Sequence, residues 1–143
     1  MDRVTILKQE IFNEVYAKAQ AQQFLPSYMA DEEGTCAYRG SGAHEGMCCN
    51  VGHLIPQERY KANMEGTDMS NEDIFPATTA YDRCVERGFD GEDQSEIKTF
   101  LEALQWAHDQ CGASPAPAPA HRAMLHSLAE EESLVVPQLA EAA

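Results

Sequence analysis

Cys36, Cys49 and His53 carry the side chains that zinc prefers, two thiols and an imidazole. With His44 and Cys48 they fall within eighteen positions. A fourth ligand would complete a zinc site. The spacing argues against it, because the segment holds no C-x-x-C knuckle and no H-x-x-x-H pair. The plainer expectation is no cofactor, with the cysteines packed as small apolar residues; zinc on Cys36, Cys49 and His53 is the alternative. The same group offers a Cys–His nucleophile. A reactive thiolate needs a base and a field that lowers its pKa. Here 24 Asp and Glu outnumber 10 Lys and Arg, so the field raises a thiol pKa, and nothing marks an oxyanion hole. No catalytic residue is assigned.

Two other groups invite a chemical reading and lose it. His108-Asp109 resembles a catalytic pair, but adjacent helical residues point about 100° apart and are not expected to face each other. Asp90-Gly91-Glu92-Asp93 lacks the alternating oxygen ligands of a calcium loop and reads as a solvated turn before a helix. No glycine-rich phosphate cradle occurs.

The elements that must position these residues follow from periodicity. Val4, Leu7, Ile11, Val15 and Ala19 form one stripe of a helix over about 3–23, with Asp2 as N-cap and Pro26 as its stop. Residues 35–38 and 48–51 read as two short strands joined by the glycine-rich loop 40–46, a β-hairpin that must lean on helices. A short helix is expected over 57–64, and another opens at Pro76 with Ala80, Tyr81, Cys84 and Val85 inward. Asp93-Gln94-Ser95-Glu96 has capping-box spacing, and Ile97, Phe100, Leu101, Leu104 and Ala107 or His108 then face inward with Trp106 to one side. Residues 113–120 form an Ala/Pro-rich linker before a final helix over 121–132 that turns Met124, Leu125 and Leu128 inward. The tail from Val135 is expected to be loosely held. The expected fold is therefore α+β: one mainly helical domain over 1–143 around one short β-hairpin.

The 143 residues suit one domain, and no stretch nears the roughly 18 apolar residues of a membrane span. The first ten residues meet charge too early for a signal peptide, so a cytoplasmic location is expected, and five cysteines there read as thiols. Residues 1–60 carry five basic and eight acidic side chains, whereas 61–143 carry five and sixteen, within a net charge of −14. Such a field repels nucleic acid and anionic membranes and favours a basic protein surface. Asp82, Glu86, Asp90, Glu92 and Asp93 are the expected partner-binding residues, since only Arg83 and Arg87 lie among them.

In chain order, Cys36-Ala37-Tyr38-Arg39-Gly40, Cys49-Asn50-Val51-Gly52-His53-Leu54-Ile55-Pro56, Met64-Glu65-Gly66 and Leu104-Gln105-Trp106-Ala107-His108-Asp109 form a pattern. It resembles a family of small uncharacterised proteins of bacteriophages and bacterial mobile elements, over about residues 5–135. The position of His53 is Cys or His in that pattern, which keeps metal binding in view. The resemblance implies the cytoplasm of a bacterial host and carries no settled activity. Together with small size, acidity and the lack of a visible active site, it leads to the expectation of a protein that binds and inhibits a host factor, for example a component of antiviral defence. The alternatives are a small metal- or thiol-dependent enzyme and an immunity protein that neutralises a basic toxin.

Overall fold

The computed structural model describes residues 2–28, 36–111 and 114–138. Among these lie five α-helices: α1 (Arg3–Ala21), α2 (Ile74–Ala77), α3 (Thr79–Glu86), α4 (Gly91–Cys111) and α5 (Pro117–Glu131). Helix α1 forms as its pattern predicts. The Asp2 carboxylate accepts the Thr5 N–H at 2.8 Å, and Val4, Leu7, Ile11, Phe12, Val15, Tyr16 and Ala19 are buried. It ends before Pro26, where Gln23 and Phe24 take left-handed backbone angles (φ 60° and 57°) and the Phe24 N–H returns to the Ala19 carbonyl. That reversal folds the Phe24 ring onto the edge of Tyr16.

Helix α4 supplies the centre. Its Ile97, Phe100, Leu101, Leu104 and Ala107 are buried, and it packs most closely on α5, then on α1 and α3. Residues from all five helices and from the 38–69 segment join one continuous apolar core. Among the described residues no helix is long and apolar enough to cross a membrane.

The expected β-hairpin does not form, so the α+β class is replaced by a helical fold. Among the described residues only two isolated antiparallel bridges occur, Tyr28 with Cys36 and Arg39 with Cys48. A ladder needs free backbone groups on both sides, and here side chains have taken them. The Tyr38 and Arg39 N–H groups donate to the two oxygens of Glu65 at 2.8 and 3.0 Å. On the other side the Val51 N–H donates to Gln105 Oε1 at 3.1 Å, and the Cys49 carbonyl accepts from the His53 N–H as the chain enters a 3₁₀ turn, Gly52–Leu54. A Cβ on Gly52 would sit 2.1 Å from the Tyr38 carbonyl oxygen, so only glycine lets these two segments approach.

Other boundaries shift for local reasons. The helix expected over 57–64 is a turn and one 3₁₀ turn, Ala62–Met64. The Pro76 helix is two, broken at Thr78, whose extended backbone lets its hydroxyl cap α3, and Val85 is 55% exposed instead of inward. Helix α4 starts at Gly91 because Asp90, not Asp93, accepts the capping N–H. The linker is shorter than expected, since Pro117 and Pro119 fall in the first turn of α5, where a missing N–H costs nothing; residue 113 lies outside the described residues. The tail is pinned to α1 as far as Val135, which exchanges two hydrogen bonds with Gln9, both 2.8 Å.

Candidate functional site

The patterned residues meet in one buried polar network. The Asn50 side-chain amide donates to the Leu104 carbonyl at 2.7 Å. Gln105, having accepted from Val51, donates to Asp109 Oδ1 at 2.8 Å. Glu65 takes Tyr38, Arg39 and the Tyr60 hydroxyl together. These contacts clip an irregular 30-residue segment onto α4 without a sheet.

His108 sits at the centre of this network and is fully buried. Contrary to the sequence expectation, it does meet its neighbour: Nδ1 lies 3.1 Å from Asp109 Oδ1. Together with Cys36 these are the one group of three His, Cys, Asp or Glu ligand atoms that converge among the described residues, all within 4.8 Å. The hydrogen bonds decide what this group can do. The Ser27 backbone N–H donates to His108 Nε2 at 2.8 Å, and a backbone amide can only donate. Nε2 is therefore the acceptor, Nδ1 carries the proton, and that proton points to Asp109. In this arrangement the ring offers no lone pair to a metal and none to a thiol, which fits neither a zinc site nor a Cys–His dyad. Burial, the Asp109 charge and a hydrogen bond with it push the Cys36 thiol up to about 12. Burial likewise raises Cys111, to about 11.

Of the expected metal ligands, only Cys36 belongs to this group. Cys49 is fully buried beneath the turn, where its sulfur accepts from the Gly52 N–H at 3.3 Å and burial holds its thiol well above the usual range. His53 is half-buried, and burial and the nearby Lys18 push its imidazole down to about 3. Burial raises all five thiols, so alkylation by iodoacetamide at pH 8 is expected to be far slower in the folded protein than in urea for Cys36 and Cys49. Labelling at equal rates in both states would show that the polar network does not shield them.

The expected partner-binding carboxylates are partly committed. Asp82 pairs with Arg59 at 2.7 Å, and Asp93 lies 3.5 Å from Arg3. Asp90 caps α4. Glu86 and Glu92 are exposed and, among the described residues, in no ion pair. The sequence reading looked for cations only in the local stretch and so missed Arg3 and Arg59.

A different surface is less compensated. Trp106 is 58% exposed on α4 and forms the ridge between two depressions. One, of about 410 Å³, is lined by Asp68, Glu102 and Asp109 with Met69, Ser70 and Gln105. The other, of about 290 Å³, is apolar, with Ala103, Met124 and Leu128 beside Glu131. Among the described residues none of these four carboxylates pairs with a Lys or Arg; Asp109 is held by His108 and Gln105 instead. The sequence signal was present: Trp106 stood off the inward stripe, and Glu102 lies four residues before it.

No protein-family model matches the chain, and it matches none of the curated proteins and none of the solved structures.

Proposed function

We propose that this chain acts by binding, and that it docks a basic segment of a partner protein along the Trp106 ridge. The observation that carries the reading is an exposed indole set among uncompensated carboxylates. A Lys or Arg lying over an exposed indole gains about 0.5–1 kcal/mol, rising to about 2 when desolvated. Neighbouring carboxylates steer its approach and raise the on-rate. Trp is also enriched among the residues that dominate interface energies. The apolar depression on the other side of the ridge would take an adjoining aliphatic side chain of the same partner. The phage-like pattern in the sequence supports a host protein as that partner, bound and inhibited; a basic toxin would be recognised by the same chemistry. The raised Cys36 and Cys49 thiols weigh against a thiol-dependent enzyme.

Trp106 is the single tryptophan of the chain, so it reports on its own surface. Titration with a nona-arginine peptide is expected to change the indole emission saturably at low salt and much less at 0.5 M salt. A nona-glutamate peptide should have no effect. Glu102→Lys is expected to weaken the peptide about tenfold, an effect worth about 1.4 kcal/mol, whereas Glu86→Lys should leave it nearly unchanged. Equal weakening by both variants would return the docking face to the α3 side; no emission change in the parent protein would sink the reading. A partner isolated later should be cross-linked through Trp106, and its identity as host protein or toxin would separate the two settings.

A further inference from the structure

A second region of the surface carries the opposite charge. Five cations pair with carboxylates: Arg3, Lys8, Arg59, Arg83 and Arg87. Among the described residues Lys18 and Arg39 do not, nor do Lys61, Lys98 and Arg122; Lys18 and Arg39 line a cleft between α1, the 48–56 segment and the start of α3, together with His53 and Thr79. Among the described residues four buried side-chain nitrogen or oxygen atoms have no hydrogen-bond partner, and three belong to this cleft: Arg39 Nε, His53 Nε2 and Thr79 Oγ1. Buried polar groups are nearly always paired, and leaving one unpaired costs about 1–3 kcal/mol. Three such atoms beside two unpaired cations describe a site with its partner missing.

We propose that this cleft binds a small tetrahedral oxyanion, a phosphate group. The donors come from four separate segments of chain. Lys18 Nζ gives one N–H to the His53 carbonyl at 2.9 Å and keeps two more. Arg39 is held by the Ile55 carbonyl at 2.9 Å through one terminal nitrogen, with its guanidinium over the Tyr60 ring, so Nε remains to donate. The Thr79 hydroxyl and the His53 ring complete the set. Four donor-bearing residues offer more hydrogen bonds than the two oxygens of a planar carboxylate can share, and suit the oxygens of a tetrahedral anion better. Glu14, one turn before Lys18 on α1, carries the fourth unpartnered atom; its other oxygen lies 3.2 Å from Arg83, which compensates its charge. In a chain of net charge −14, an anion would find few other places to stay.

The test is nuclear magnetic resonance titration with inorganic phosphate, with ethyl phosphate to represent a monoester and sodium acetate at matched ionic strength as the planar control. Saturable shifts at the Gly52, His53 and Thr79 amides are expected with phosphate or ethyl phosphate and not with acetate. If ethyl phosphate binds the tighter, the natural ligand is a monoester; if inorganic phosphate does, it is the free anion. Thr79→Val, which keeps the side-chain volume, and Lys18→Met, on the rim, should each weaken binding tenfold or more, with folding checked by circular dichroism. Absence of saturable shifts overturns the proposal. So does binding that persists unchanged in both variants, which would mark an adventitious ion only. Trp106 emission should not respond to phosphate, so this result stands apart from the peptide titration.

Discussion

Replacing His108 with alanine is expected to lower the unfolding free energy by roughly 3–5 kcal/mol, a large share of the 5–15 kcal/mol that a domain has. Two losses add. The side chain is fully buried between α4 and the 24–28 segment, so its removal opens a cavity, and large-to-small changes in cores cost about 2–5 kcal/mol. The substitution also strands the buried Ser27 N–H, whose partner is His108 Nε2, at about 1–3 kcal/mol more. The sum is capped by partial collapse of the site. His108→Gln separates the two, because its side-chain oxygen can reach the Ser27 amide; it should recover about 1 kcal/mol or more of the loss. Urea unfolding followed by circular dichroism reads both. A loss below about 1 kcal/mol in the alanine variant would remove His108 from the centre of the network.

The second large effect is acid sensitivity well above the carboxylate range. Burial first, then the Lys18 charge, holds the folded His53 imidazole down at about 3 against an ordinary 6.5. Burial brings His121 down to about 4, while its bond to the Phe24 carbonyl acts the other way. Both groups are neutral in the folded chain above pH 6.5 and cost nothing there. As pH falls below 6.5 the unfolded chain takes up protons that the folded chain refuses, so stability falls towards the folded pKa values. Each unit of pH costs up to about 1.4 kcal/mol per group. His121 deserves a discount: its two nitrogens lie 3.1 Å from the Phe24 carbonyl and from Asn50 Oδ1, both acceptors, and protonation would satisfy both. Most of the slope then belongs to His53, and the loss between pH 6.5 and 4.5 should be about 2–3 kcal/mol. Urea midpoints across that range give the slope, and His53→Gln should flatten it. A flat profile in the parent protein would place His53 in water.

What the sequence could reveal divides along the kind of physics involved. Helices α1 and α4 were legible because an apolar stripe at 3.6-residue spacing is a local signal, and Trp106 stood off that stripe as the structure has it. The 36–66 segment was not. Its Tyr and Val have strand propensity, yet the Tyr38 and Val51 N–H groups are claimed by the Glu65 and Gln105 side chains, 27 and 54 residues away. No propensity reports a side chain arriving from 54 residues away. The same limit hid the ion pairs of Asp82 and Asp93. His108-Asp109 was dismissed on the 100° rule, which applies to Cβ directions and not to the reach of an imidazole. The zinc alternative on Cys36, Cys49 and His53 rests on residue types against an unfavourable spacing, and the contact with Ser27 that sets the proton position on His108 is tertiary. The uneven charge marks the later half of the chain as the acidic one.

The clasp between the first helix and the last segment has a consequence for synthesis. Lys8 meets Glu132 across 124 positions, and Tyr16 meets His126 across 110. Helix α1 leaves the ribosome before α4, which packs against its apolar stripe, and before α5, whose His126 meets Tyr16. At roughly 5–20 residues per second, that stripe spends several seconds or more without its native cover. A nascent chain stopped short of α5 would keep Phe24 and Tyr16 without the His121 and His126 rings they rest on. Helix α1 therefore reaches its native packing only once α4 and α5 are available.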